Sequence, residues 1–196
     1  MSTAGLRFKE IEHKYVVGDE FDLESCRTVL ATLGLVRTTS IRVRDDYYLT
    51  EGGQRRRFLV RHRFDAELHQ LTIKTLEVDA EVRDEVNLDL GQQAGDQGAQ
   101  VEAFMACLGI SWRGTVHKDV EVWYFPDCEV VYYRAWTDSR SIRCVEFEAR
   151  GGTSVAEALA IVERFERATG FDCQVREHRS LPQLLFPELA DRLAGA

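Results

Sequence analysis

Three charged side chains near the start of the chain stand at alternate positions: Glu10, Glu12 and Lys14. On a β-strand, alternate residues face the same side, so two carboxylates and an ammonium stand in a row with about 7 Å between neighbours. Ile11 and Tyr15 then face the opposite side. Carboxylate oxygens are preferred ligands of Mg²⁺ and Mn²⁺, and an ammonium binds phosphate. The row therefore indicates either a solvated sheet face or an enclosed site for charged ligands.

Charged side chains recur at alternate positions on later segments of alternating hydrophobicity. They are Arg61 with Arg63, Lys74, Arg83 with Glu85, and Glu146 with Glu148. One polar face is the usual solvent side of an antiparallel sheet, and that interpretation stays open for any strand taken alone. The repetition favours a charged interior, with helices covering an apolar outside. Arginine binds two phosphate oxygens at once and glutamate binds divalent metals, so such an interior predicts a site for a metal–polyphosphate complex.

The composition is that of one globular domain over residues 1–196, with 44% hydrophobic and 30% charged residues. No run of about 18 apolar residues predicts a membrane span, and the N-terminus does not resemble a signal peptide. The five cysteines are scattered without metal-ligand spacing, which predicts a cytoplasmic protein with no disulfide framework or zinc site. The net charge of −8 argues against non-specific nucleic-acid binding. Both a monomer and a homodimer are compatible with the sequence.

Hydrophobic periodicity predicts an α+β fold with the order strand, helix, four strands, helix, three strands, helix. We expect strands near 6–17, 36–50, 55–64, 68–78, 81–90, 112–124, 128–136 and 141–149. The glycine pair at 52–53 is interpreted as a turn, and Pro187 is expected to break a terminal helix over 181–193. Short connections indicate antiparallel pairing, and eight such strands form either a sandwich or a barrel. The charged faces favour the barrel.

Several of these segments resemble, in order, the motifs of the CYTH superfamily, also called triphosphate tunnel metalloenzymes. The first, Glu10-Ile11-Glu12-His13-Lys14, is similar to the ExExK signature of that family. The others are Leu59–Arg63 for LRxR, Leu71–Lys74 for LTxK, Arg83–Glu85 for RxE, Lys118 at the opening of the second half, and Val145–Glu148 for ExE. ExExK alone is a weak pattern, but the ordered set is fairly specific and covers nearly the whole chain.

The resemblance implies an antiparallel eight-stranded β-barrel, or tunnel, with helices packed outside it. It also implies metal-dependent hydrolysis of a triphosphate-containing small molecule, either inorganic triphosphate or a nucleoside or thiamine triphosphate. Carried over by position, the phosphate-binding residues are Lys14, Arg61, Arg63, Lys74, Arg83 and Lys118. The residues implied to bind one or two Mg²⁺ or Mn²⁺ ions are Glu10, Glu12, Glu146 and Glu148. The implied catalytic residues are Lys14 and Glu85, with Glu85 orienting or deprotonating the attacking water.

Three positions depart from the family pattern. Leu49 stands where a second acid is usual, Val120 where an arginine is usual, and the seventh strand around Tyr133 lacks its usual aspartate. These departures put a second metal ion in question. They also leave two alternatives open: a class IV adenylyl cyclase, for which no adenine-binding residue set is evident, and a non-catalytic polyphosphate-binding module. His13 has the wrong parity for the interior, so we expect it on the outer face.

Overall fold

Strands make up most of this computed structural model, which describes residues 8–76, 82–150 and 153–194. Their bounds are β1 Phe8–Val16, β2 Arg37–Thr50, β3 Phe58–Phe64, β4 His69–Thr75, β5 Val82–Asp89, β6 Ile110–Tyr124, β7 Cys128–Trp136 and β8 Ser141–Ala149. Burial alternates along the first part of β2 and along much of β7, following the apolar and polar residues of the sequence, whereas the middle of β3 is buried on both faces. The predicted strand order is therefore confirmed, with shifts of a few residues at the ends.

The strands pair in the closed order β1-β5-β4-β3-β2-β6-β7-β8, and all pairings are antiparallel. Strand β1 closes the ring by dividing its pairing between two partners. Residues 8–11 pair with β5, whereas residues 12–16 pair with β8. The predicted eight-stranded antiparallel barrel is confirmed, and the alternative prediction of a sandwich is wrong.

Six helices lie in the described ranges: α1 Leu23–Ala31, α2 Glu51–Arg56, α3 Gly98–Cys107, α4 Val155–Thr169, α5 Leu181–Leu185 and α6 Pro187–Ala194. Asp22 caps α1 by accepting a hydrogen bond from the Ser25 amide, and Ser154 caps α4 in the same way. Pro187 separates α5 from α6 as predicted. In these ranges, no helix has both the length and the apolar character needed to cross a membrane.

Helices α1 and α4 cover the outer faces of β1, β6, β7 and β8. The apolar core between them includes Tyr15, Leu30, Trp123, Phe147 and Phe165, all fully or nearly buried. A smaller outer core joins α3 to β2 and β3 through Tyr48, Val60, Val101 and Met105. These cores fix the orientation of the strands, because the odd-numbered residues of β1 and the even-numbered residues of β2 and β3 must face outward.

A third apolar core fills one end of the barrel interior. Its strand residues include Leu49, Leu59, Trp112, Val116 and Ala135, which share the inward parity of the charged residues on the same strands. Leucines of α5 and α6 complete it, namely Leu181, Leu185, Leu189 and Leu193. The two C-terminal helices thus cross an end of the barrel, whereas the sequence predicted helices on the outside alone.

The interpretation of the glycine pair at 52–53 as a turn is wrong. Both glycines lie in α2, which Thr50 caps by accepting a hydrogen bond from the Gly53 amide at 3.0 Å. Gly53 is needed for a close approach, since a Cβ there would lie 2.6 Å from the Phe58 carbonyl oxygen. The third strand consequently begins at Phe58, and Arg57 adopts a left-handed backbone conformation at the end of the helix instead of extending the strand.

Candidate functional site

The Glu–Lys row of β1 faces the barrel interior opposite the outer core. Lys14 is buried, and its Nζ lies 3.4 Å from Glu12 Oε1 and 3.2 Å from Glu146 Oε1. Glu146 comes from β8, directly across the ladder from Lys14. The predicted residues of the first and last strands therefore meet at one ammonium. Because two carboxylates share a single cation, this part of the wall carries a net negative charge.

Tyr133 adds a residue to this group that the sequence did not assign. Its hydroxyl donates a hydrogen bond of 2.6 Å to Glu146 Oε1. Burial, reinforced by the charge of Glu146, raises the pKa of the Tyr133 hydroxyl well above its ordinary value. Tyr133 is therefore a neutral donor that holds the Glu146 carboxylate in place. Its inward parity on β7 was readable from the sequence, but its partner was not.

Asp45 is the second residue that sequence reasoning left without a role. It is fully buried on the inward face of β2, and it binds two of the residues predicted to bind phosphate. Arg63 donates to it through both Nε and Nη2, at 2.7 and 2.9 Å, and Lys118 Nζ lies 2.6 Å from Oδ2. Arg63 is directly opposite Asp45 in the β2–β3 ladder, so the pair is set by strand register.

The electrostatics of this trio follow from its burial. Desolvation alone would raise the pKa of Asp45, but the charges of Arg63 and Lys118 outweigh it and hold the pKa well below its usual range. Burial, together with the nearby Arg63 charge, lowers the pKa of Lys118 to about 8. Lys118 consequently loses its positive charge as the pH rises through about 8, whereas a solvated lysine keeps it to about pH 10.

A third charged group joins β3, β4 and β5. Lys74 Nζ lies 2.9 Å from Glu85 Oε2, and Arg61 Nη2 lies 3.9 Å from Glu85 Oε1. Arg61 also donates to the Thr72 hydroxyl at 3.1 Å, while its Nε has no hydrogen-bond partner although it is buried. A buried guanidinium nitrogen with an unused N–H is suited to an anionic ligand.

For two predicted site residues, Glu10 and Arg83, the structure describes the backbone but not the side chain. The backbones of Glu10 and Arg83 are direct partners in the β1–β5 ladder. Both stand at alternate positions to described interior residues, Glu12 and Glu85 respectively. The side chains of Glu10 and Arg83 lie outside the described part of the structure, and their assignments stay predictions.

The charged inward side chains of the strands, which we call the charged wall, continue to the end of the barrel at the start of β1, which we call the rim. Glu148 lies opposite Glu12 in one ladder and opposite Glu129 in the next, which makes a row of three acids across β1, β8 and β7. Arg150 bridges two of them, at 3.3 Å from Glu148 Oε1 and 2.9 Å from Glu129 Oε1. Glu129 was not foreseen, because its neighbours in sequence match no motif.

A C-terminal segment runs along β1 beside the Glu–Lys row. The Glu177 amide donates to the Lys14 carbonyl oxygen at 2.7 Å. The Glu177 carboxylate is held by Arg179, and this hydrogen bonding lowers its pKa. The segment thus contacts β1 at Lys14, within the residues that pair with β8.

His13 faces away from the interior, which agrees with its parity. Its Nδ1 lies 2.6 Å from Oε1 of Glu166, a buried residue of α4 that also accepts a hydrogen bond from Tyr15. The Nε2 atom of His13 has no hydrogen-bond partner. Its contacts are with α4, on the opposite side of β1 from the charged interior.

The acids of the charged wall have the chemistry of a hard-cation site, since Glu12, Glu146 and Glu148 offer carboxylate oxygens alone. Among the described side chains, no three metal-ligating residues are already gathered as a ligand group. An ion would bind oxygens that now contact Lys14 and Arg150. The donor set therefore fits Mg²⁺ or Mn²⁺, with the carboxylates turning from ammonium and guanidinium partners to the metal.

The sequence matches the CYTH domain family model over residues 9–159. The chain belongs to the CYTH family. Among solved structures, it is similar to the PH1012 protein of Pyrococcus horikoshii OT3, with a TM-score of 0.69 and 16% identity over 90% of this chain and 99% of that one. No curated protein matches the sequence.

Two further solved structures have a similar fold. HpAC1 from Hippeastrum, described as having a dominant triphosphatase activity, has a TM-score of 0.55 and 13% identity over 95% of this chain and 96% of its own. The bh2851 protein of Bacillus halodurans, named as a candidate adenylate cyclase, has a TM-score of 0.59 and 18% identity over 91% of this chain and 98% of its own. At these identities the likeness establishes the fold.

Proposed function

We propose that this CYTH protein hydrolyses the phosphoanhydride bond of a triphosphate, using Mg²⁺ or Mn²⁺. One observation carries the proposal: five cations of the described chain converge on the interior of a closed barrel. They are Lys14, Arg61, Arg63, Lys74 and Lys118. Buried cations in this number are costly unless anions compensate them, and a polyphosphate supplies several negative charges in one molecule.

Three of these cations differ in how closely they contact the acidic residues of the interior. Arg63 and Lys118 are both bound to Asp45, which leaves them one net positive charge to share. Arg61 makes a longer contact to Glu85 and keeps an unused N–H. Arg61 is therefore the side chain best placed to bind a phosphate oxygen directly, with Lys74, Lys14 and Arg83 as further ligands.

The metal would be held by Glu12, Glu146, Glu148 and Glu10. When bound, a divalent ion neutralises phosphate charge and polarises the bond that breaks. Lys14 stands beside Glu12 and Glu146 and would stabilise charge on the phosphate next to that ion. Glu85 is the candidate that orients or deprotonates the water. Its contacts with Lys74 and Arg61 fix the direction of its carboxylate.

Phosphoryl transfer needs mainly positioning and charge neutralisation, and the charged wall offers both. The described activity of HpAC1 is consistent with this chemistry on the same fold. The test gives the purified protein tripolyphosphate, ATP and thiamine triphosphate with Mg²⁺ or Mn²⁺, and measures orthophosphate release. Arg61→Ala is expected to lower kcat/KM at least a hundredfold, because it removes a charged contact to the reacting phosphates.

Arg42→Ala is the matched control for Arg61→Ala. Arg42 lies on the outer face of the neighbouring strand and pairs with Asp119 at 2.9 Å in solvent. The substitution removes the same charge as Arg61→Ala but does not change the interior, so activity is expected to stay within about twofold of the parent. Formation of cyclic AMP and pyrophosphate would replace the proposal with a cyclase. Tight binding without turnover of any of the three compounds would replace it with a binding module.

A further inference from the structure

Tyr133 reaches the charged wall from β7, and its ring is packed like that of a core residue. Tyr133 is 3% exposed and belongs to the apolar core at the far end of the barrel interior. Lys118 Nζ lies 5.8 Å from the centre of the ring and adds a cation–π contact. Because this packing fixes the ring, the hydroxyl occupies one place in the wall.

One carboxylate oxygen of Glu146 is held by two donors. Glu146 Oε1 accepts the 2.6 Å hydrogen bond from the Tyr133 hydroxyl, and Lys14 Nζ lies 3.2 Å from the same atom. Both contacts follow from strand register. Lys14 is the ladder partner of Glu146, and Tyr133 is its diagonal neighbour on the inward face of β7 and β8. Among the described residues, the other oxygen, Oε2, has no hydrogen-bond or ion-pair partner.

The neighbouring acids of the wall are held in a different way. Lys14 Nζ lies 3.4 Å from Glu12 Oε1, and Arg150 Nη1 lies 3.3 Å from Glu148 Oε1. Both partners are cations, so a divalent ion that enters the wall repels them and the carboxylates turn to the ion. The phenol that holds Glu146 is neutral. An entering ion does not repel it, and its hydrogen bond persists.

Divalent ions differ in how they use a carboxylate. Ca²⁺ takes roughly six to eight oxygen ligands at about 2.3–2.6 Å, and it often binds both oxygens of one carboxylate. Mg²⁺ requires a nearly octahedral set at about 2.0–2.1 Å, and it keeps several of its waters. A carboxylate that has one oxygen fixed by a hydrogen bond therefore suits Mg²⁺ better than Ca²⁺.

We propose that Tyr133 is a positioning residue that limits Glu146 to coordination through one oxygen and thereby selects Mg²⁺ or Mn²⁺ over Ca²⁺. The inference rests on the proposed function, since it assumes that Glu146 binds the ion. Tyr133 acts through Glu146 and does not contact the ion itself. Removal of the hydroxyl makes Oε1 available for a second bond to the ion. That bond favours Ca²⁺, whereas an ion that uses one oxygen loses a well-oriented ligand.

Calorimetric titration of the purified protein with MnCl₂ alone and with CaCl₂ alone measures this preference. We expect the parent to bind Mn²⁺ at least tenfold more tightly than Ca²⁺, and the ratio of the two affinities to fall about tenfold in Tyr133→Phe. The phenylalanine keeps the packed ring, so the variant should fold, and a denaturation midpoint verifies this. A purely structural role would weaken the binding of both ions equally and leave the ratio unchanged.

Tyr47→Phe is the matched control. Tyr47 is also a buried tyrosine of the interior, and its hydroxyl donates to a carboxylate oxygen, Asp45 Oδ2, at 3.4 Å. Asp45 is not one of the proposed metal ligands, so the ratio in this variant should equal that of the parent.

Three results would overturn the role of Tyr133 while leaving the proposed function intact. They are an unchanged ratio in Tyr133→Phe, an equal fall of the ratio in Tyr47→Phe, and a parent that binds Ca²⁺ as tightly as Mn²⁺. Failure of the parent to bind either ion would overturn the metal dependence of the proposed function, and the role of Tyr133 with it.

Discussion

The two ends of the barrel interior are made from the same strands and have opposite chemistry. Toward the start of β1, inward residues are charged and partly reachable by solvent, as at Glu12 and Glu148. Toward the other end, inward residues such as Leu49 and Trp112 are buried under the leucines of α5 and α6. One alternation pattern thus builds a group of charged inward residues at one level and a hydrophobic core a few residues away.

The difference shows that the alternation pattern of a strand does not determine whether its inward residues form a charged group or an apolar core. Leu59 and Arg61 are neighbours on one face of β3, yet Leu59 joins the apolar core and Arg61 joins the charged group. What separates them is whether a helix covers that level. The following predictions test this division, and they are ordered from the largest expected effect to the smallest.

Removing the charge of Asp45 should have the largest effect, because it leaves Arg63 and Lys118 buried side by side without their anion. For Asp45→Asn we expect a loss of about 4 kcal/mol in the free energy of unfolding, measured by urea denaturation. Asp119→Asn removes a half-exposed partner of Arg42 and should cost less than about 1 kcal/mol. Equal losses in the two variants would show that the charged end is as well solvated as the surface.

Truncating the apolar end should cost slightly less. Leu189 is fully buried in the core that α6 makes with the barrel, and Leu189→Ala should lower the free energy of unfolding by about 3 kcal/mol. The exposed Leu108→Ala provides the baseline near zero. In a variant that remains folded, affinity for tripolyphosphate should be retained. A parallel loss of that affinity would mean that the two ends are coupled.

The metal prediction concerns the charged end alone. Glu12→Gln keeps the shape of the side chain but removes a carboxylate from the wall, so affinity for Mn²⁺ should fall at least tenfold. Calorimetric titration of the purified protein measures it directly. Glu24→Gln, a change on the exposed surface of α1, should leave the metal affinity unaltered. A Glu12→Gln variant that binds Mn²⁺ like the parent would remove Glu12 from the metal site.

The smallest effect is a pH dependence. The pKa of Lys118 is about 8, so the lysine is charged below this pH and neutral above it. If a bound phosphate keeps Lys118 protonated, affinity for tripolyphosphate should be nearly constant below pH 7 and should fall about tenfold between pH 7 and pH 9. Arginine keeps its charge over this range, so Lys118→Arg should flatten the profile. A decline that persists in Lys118→Arg would belong to another group.

The strands and the pairing of strands adjacent in sequence were predictable, because strict alternation and short connections constrain them. The closure of the barrel, which β1 makes with β8, was expected from the charged faces and the family resemblance. Sequence also placed Arg61, Lys74 and Glu85 on faces that prove to be adjacent. These are local rules of parity, and they hold when neighbouring strands are paired in register.

The missed features depend on contacts between distant segments. Asp45 was visible as a lone acid between Val43 and Tyr47, but its capture of Arg63 and Lys118 follows from register across two ladders. The amphipathic pattern of α6 predicts an apolar face without saying which surface receives it. Gly53 was misinterpreted for a similar reason, since its close contact with Phe58 lies beyond local turn chemistry.

The divided pairing of β1 has a consequence for the order in which the molecule assembles. Residues 12–16 find their ladder partners at 144–148, more than 120 residues later, whereas β2, β3, β4 and β5 pair with near neighbours. Contacts so far apart in sequence form slowly, because a long loop must close before they repay its entropy. During synthesis, residues 12–16 of the first strand therefore lack their ladder partners until the eighth strand has emerged from the ribosome.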